Sequence, residues 1–300
     1  MQKLKFCNSL LCKKCSNFLG EKVKKKSMVF IFLLLCSILL AQDAKVMPQW
    51  AGRFTVTPSF SFATGVHDDL RNFDRFDEPS ARMFNLGVGA EYGVLNWITA
   101  VVHWLPGWAA WSDTDAAAND ISELFVGAKI QLLGEQAPFT SNEFRFTIAP
   151  GVVLPLVNDQ VFALGVNFYF DWIFNRNFFV TLSNETLFFP GNQDFSGAGP
   201  AFSGINEDAN FSLRFGIGSV FTAPIANGID FAVGLPASYL FLPDTHQHNL
   251  GVNPHASLFF RNTPLPLEFK FQYYVPLWGR NSIARHDASL LIRMYFATGK

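Results

Sequence analysis

Four short patterns carry the residue types of catalysis and metal binding. In His255-Ala256-Ser257, extended backbone would place imidazole and hydroxyl on one face, so His255 could act as base toward a Ser257 nucleophile. Val252, Pro254, Ala256 and Leu258 claim the apolar face of that stretch, so the pair falls on the polar face, where a structural role serves equally well. His246 with His248, and Asp113 with Asp115, have the donor types of metal ligands. Both pairs sit in turn-rich segments, and solvated loop polarity is the simpler reading; no metal and no cofactor are expected. Cys12 and Cys15 have redox or half-zinc spacing without a second pair. Cys36 follows Leu35, where a lipidation site wants a small residue.

The remaining chemistry is charge. By period-two parity, Arg53, Glu91, Glu123, Lys129, Glu143, Arg145, Asp171, Glu185, Arg214, Asp230, Glu268, Lys270 and Arg293 share the face of the small and polar residues. Adjacent stretches predict cross-strand neighbours: Glu185 near Arg214, and Glu268 and Lys270 near Arg293. If that face lines a closed interior, these residues are pore-lining. They would then form either a constriction with a transverse field or a lumen plugged by its own ion pairs.

Strands must position such a set. Phe54, Val56, Phe60 and Phe62 oppose Thr55, Thr57, Ser59 and Ser61. Phe162, Leu164, Val166, Phe168, Phe170 and Trp172 oppose Ala163, Gly165, Asn167, Tyr169 and Asp171. Twelve stretches of this kind span about 53–64, 83–93, 97–105, 121–132, 143–154, 161–172, 178–188, 210–221, 229–241, 250–260, 267–277 and 287–297. Connections alternate between short turns such as Val94–Asn96 and long segments such as 65–82, 106–120, 189–209 and 278–286. Short turns on one side, long loops on the other and an even strand number predict an all-β fold. It is a transmembrane, antiparallel, up-and-down β-barrel. Pro58, Pro150, Pro236 and Pro254 fall mid-strand, where bulges are expected.

The two faces decide against a soluble sandwich. The apolar face is nearly all Phe, Leu, Val, Ile and Trp without charge, whereas a charge facing lipid would cost about 2–4 kcal/mol at the midplane. Trp104, Trp108, Trp111, Phe188, Phe189, Phe241 and Trp278 would ring the loop end. Trp50, Trp97, Trp172, Phe178, Phe260 and Phe296 would ring the turn end.

Residues 1–41 carry eight of the 23 basic side chains and one of the 24 acids, a balance of +7 that leaves −8 for the remainder. Lys24, Lys25 and Lys26 precede the apolar run Met28–Leu40, which is too short for a spanning helix and is followed by Ala41. This predicts a cleaved signal peptide over 1–41, with 1–22 read as an over-long gene start, and a barrel over 42–300. All four cysteines precede residue 42, so no disulfide is expected in the mature chain. Its acidity excludes nucleic acid as a partner.

With these features, residues 50–300 resemble bacterial outer-membrane barrels of the porin-like kind. Leu290, Ile292, Met294 and Phe296 in the last strand resemble their assembly signal, although four residues follow Phe296. The resemblance implies an outer-membrane location. Its lipids, small polar solutes and the outer-membrane assembly machinery would be the partners. The leading expectation is a passive channel for small hydrophilic solutes, not an enzyme. One alternative is a non-conducting structural or adhesin-type barrel with acidic loops. The other is a lipid hydrolase using His255 and Ser257, whose His-x-Ser spacing resembles that of twelve-stranded outer-membrane phospholipases.

Overall fold

Alternation of bulky apolar with small or polar residues leaves the backbone one stable solution, a pleated strand with two unlike faces. The computed structural model describes residues 44–112, 123–156, 162–193 and 209–298, and every regular element there is a strand. In chain order these are β1 (Ala51–His67), β2 (Phe73–Leu95), β3 (Ile98–Ser112), β4 (Glu123–Gly134) and β5 (Phe139–Thr140). They continue with β6 (Phe144–Pro155), β7 (Ala163–Asn175), β8 (Phe178–Gln193), β9 (Ala209–Ala226) and β10 (Ile229–Leu242). The last are β11 (Gln247–Val252), β12 (His255–Phe260), β13 (Leu267–Arg280) and β14 (Ser282–Ala297).

Neighbours in the chain pair antiparallel, and β14 pairs with β1 from Ala51↔Ala297 to His67↔Ser282, which closes the sheet. Both β11 and β12 pair with β10 and β13, so they form one barrel strand opened at Asn253-Pro254. Tiny β5 adds in parallel to β4. The barrel therefore has twelve strands, and the protein is an all-β, antiparallel, closed barrel.

Two expectations need correction. Much of the segments expected as loops at 65–82, 106–120 and 278–286 is strand: β2 begins at Phe73, β3 runs to Ser112, and only Asn281 separates β13 from β14. Beyond the lipid no apolar face is required, so the alternation that marks a strand fades while its ladder continues. Nor do the mid-strand prolines make bulges. The β1–β14 ladder skips Thr57 and Pro58 and resumes in the same register, and the β4–β6 ladder does likewise at Pro150. The missing N–H opens one neighbour's ladder locally, and the other side stays paired, as in Pro58↔Leu86 and Pro236↔Gly218.

The outer face is apolar, with Trp172 and Phe174 stacked at 4.5 Å and Phe144 beside Trp172 at 6.1 Å near the turn end. It is not uniformly so: Thr186 donates to Asn184 Oδ1 on the outer face of β8. Phe189, expected in the loop-end girdle, is instead fully buried on the inner face. The side chains of Trp108 and Trp111 lie outside the described residues.

Candidate functional site

The inner face is where the barrel gathers its charge. Arg53 of β1 and Glu91 of β2 are opposite in register, and the guanidinium donates to Glu91 Oε1 at 2.7 Å. Lys129 of β4 reaches over β3 to the same carboxylate, 3.1 Å from Oε2, and His103 Nε2 stands 3.5 Å from Oε1. Small inner-face residues make the reach possible, because Glu91 faces Val101, which faces Gly127. Arg53, Glu91 and Lys129, the three members of this ion knot, are 1–2% exposed.

Two further pairs line the opposite wall. Arg145 of β6 binds Asp171 of β7 at 3.2 Å, and Thr181 donates to the other carboxylate oxygen at 2.6 Å. Arg214 of β9 binds Glu185 of β8 at 3.3 Å. On β13 and β14, Arg293 Nη1 and Tyr295 Oη both donate to Glu268 Oε2, and Lys270 is buried nearby on the same strand face as Glu268.

Ten of the thirteen charges assigned by parity thus sit on the inner face. Asp230 is at the turn-end rim, paired with Arg261. Glu143 is exposed in the bend before β6, because Ser141 Oγ accepts from its N–H and from Phe144 N–H, holding the turn one residue longer than expected. Glu123 opens β4, with its side chain outside those described. Alternation would also have pointed to His103, Asp287 and Tyr295. Arg285 shares their parity but fell in the segment 278–286 expected as a loop; it points inward and donates to Ser61 Oγ.

Two other features occupy the interior. The segment Ala44–Pro48 runs inside the barrel. Met47 N–H donates to Thr99 Oγ1 at 2.7 Å on β3, and Thr147 Oγ1 on β6 donates to Ala44 O. Gly93 permits this crossing, since a Cβ there would lie 2.0 Å from Pro48 O. Toward the loop end, Val153, Ala163, Leu187, Phe189, Leu240 and Leu242 pack together, with Phe125 against them. The inner face is therefore charged over one part and apolar over another, where parity alone suggested a polar wall throughout.

The remaining candidates are placed as follows. His255 and Ser257 are both 8% exposed on the inner face and do not hydrogen-bond each other; the His255 ring packs where a Cβ on Gly234 would be. His246 Nδ1 bonds Pro243 O while His248 Nδ1 bonds Tyr239 Oη, so their rings serve separate partners. No metal-binding group of three or more His, Cys, Asp or Glu occurs among the described residues. Asp113, Asp115, Cys12, Cys15 and Cys36 lie outside them.

No known family matches the chain by sequence, and no curated protein does. Among solved structures, the COG4313 outer membrane channel from Pseudomonas putida F1 is similar over 86% of this chain and all of its own. Identity is 13% and the TM-score is 0.56. The NanC porin is similar over 80% of this chain and 98% of its own, at 10% identity and a TM-score of 0.45. The KdgM porin in complex with disordered oligogalacturonate aligns over 81% and 99%, at 8% identity and a TM-score of 0.45. The fold is that of outer-membrane β-barrels.

Proposed function

We propose that the chain is a porin-like channel of the bacterial outer membrane that passes small hydrophilic solutes. The observation that carries this reading is a wall of buried polar atoms without protein partners. Asn85 is 0% exposed and neither its Oδ1 nor its Nδ2 is bonded; Asn167 Oδ1, Asn253 Oδ1 and Ser289 Oγ are in the same condition. Each such group costs about 1–3 kcal/mol in a dry interior. Water is the partner that removes that cost, so the interior is read as hydrated. The thirteen charges assigned by parity enter the proposal as pore-lining only where they face inward. The assembly machinery and outer-membrane lipids are the partners such a barrel requires, and a cleaved signal over 1–41 is the export route.

A second reading, a non-conducting structural or adhesin-type barrel, draws support from Ala44–Pro48 and the apolar cluster, which both fill the interior. The lipid-hydrolase reading draws none, because His255 and Ser257 face away from lipid. Single-channel recording on protein refolded into planar bilayers separates them. Discrete opening steps are expected, and persistent silence at high protein loading rejects the channel.

A further inference from the structure

The signs of the inner-face charges are unequally distributed around the barrel. Among the described side chains on the wall made by β13, β14, β1, β2, β3 and β4, five cations face inward: Lys270, Arg293, Arg285, Arg53 and Lys129. Three carboxylates, Glu268, Asp287 and Glu91, face them there. The wall made by β6, β7, β8 and β9 holds the balanced pairs Arg145–Asp171 and Arg214–Glu185. Glu123 is outside this comparison, its side chain not being described.

The hydrogen bonding has the same bias. Glu91 is held by two cations, Asp171 by Arg145 and Thr181, Glu185 by Arg214, and Glu268 by Arg293 and Tyr295. The guanidinium groups keep donors in reserve: Arg214 Nε and Arg293 Nε are buried and bond nothing. Four of the five described inward carboxylates are thus already engaged, Asp287 beside Arg285 being the exception, and the seven described inward cations outnumber them by two.

From this imbalance we infer that the interior selects anions, with small carboxylate-bearing solutes as the class it would pass. The inference rests on the channel reading above and gives it a substrate class. The planar fork of arginine matches a carboxylate, and a field from one wall acts most strongly where the passage is narrowest. Acidic residues near the loop end, such as Asp69 paired with Arg280, act only at the mouth.

Reversal potentials across a potassium chloride gradient, then a potassium acetate gradient, test it. Chloride and acetate are both expected to permeate faster than potassium. Lys129→Gln and Lys270→Gln should each lower the anion-to-cation permeability ratio by about two- to threefold, the size of one Coulomb interaction across several ångströms of water. Glu91→Gln should raise it. Heat-modifiable mobility on gels identifies variants that fold, and Lys270→Gln stands alone if Lys129→Gln does not. Potassium preference in an open channel overturns the inference and leaves the channel standing. Chloride current without acetate current overturns the substrate class. Absence of any current overturns the channel reading and this inference with it.

Discussion

Replacing Phe168 by arginine tests which face of the barrel meets lipid. Phe168 is the sixth residue of the thirteen in β7, opposite Ile148 of β6 and Asn184 of β8. Its ring lies parallel to Phe146 at 6.4 Å on the outer face, while Asn167 and Tyr169 are buried on the inner face. A strand of that length tilted by roughly 40° just spans a bilayer, so its sixth residue is near the midplane. Arginine there should cost about 2–4 kcal/mol, or roughly thirty- to several-hundredfold in the folding equilibrium. Urea titration in lipid vesicles, followed by tryptophan fluorescence, measures it. Asn167→Arg should lose far less. All four cysteines precede residue 42, so cysteine placed at either position in a chain starting there has no background. Cysteine at 167 should react with a small water-soluble reagent, and cysteine at 168 should not. Equal costs for the two arginines, or preferential labelling at 168, would refute the assignment of faces.

Deleting residues 44–48 should raise single-channel conductance, because that segment crosses the interior from Thr99 to Thr147; unchanged conductance would place the constriction elsewhere. Glu91→Gln should lower stability by up to about 3–5 kcal/mol, since Arg53 and Lys129 lose their shared carboxylate in a buried knot. A shift of the urea midpoint reads this out, and none is expected for Glu143→Gln, which is exposed. At the β1–β2 hairpin tip, Asp68 accepts from Asn72 N–H and Nδ2, bonds that lower its pKa below the ordinary carboxylate value of 3.8. Its contribution to turn order is therefore present above that ordinary value and is lost as pH falls through the lowered one. Hydrogen exchange at Asn72 should show a protection loss at acid pH that Asp68→Asn removes. N-terminal sequencing of membrane-extracted protein should begin near Gln42 or Lys45, and a lipid-modified Cys36 would overturn the signal-peptide reading.

Local periodicity by itself determined the two-faced stretch at the heart of each strand, which way each face points and the even strand number. Period two is set by the backbone, and one slip would send Phe168 inward and Asn167 into lipid. Cross-strand pairs within hairpins were legible for the same reason. Strands consecutive in the chain had to pair, and parity put Glu185 of β8 and Arg214 of β9 on one face, as it did Glu268 of β13 and Arg293 of β14. Contacts that cross the interior were not legible. Lys129 reaches Glu91 from two strands away because Val101 and Gly127 leave room. Leu240 and Leu242 of β10 meet Phe189 of β8 across β9 only because the sheet curves. The inward path of Ala44–Pro48 has no periodic signature, since its partners Thr99 and Thr147 lie 52 and 103 residues away. Sequence patterns encode which way a side chain points from its own strand; what it meets across a closed barrel depends on curvature and closure, which no local pattern carries.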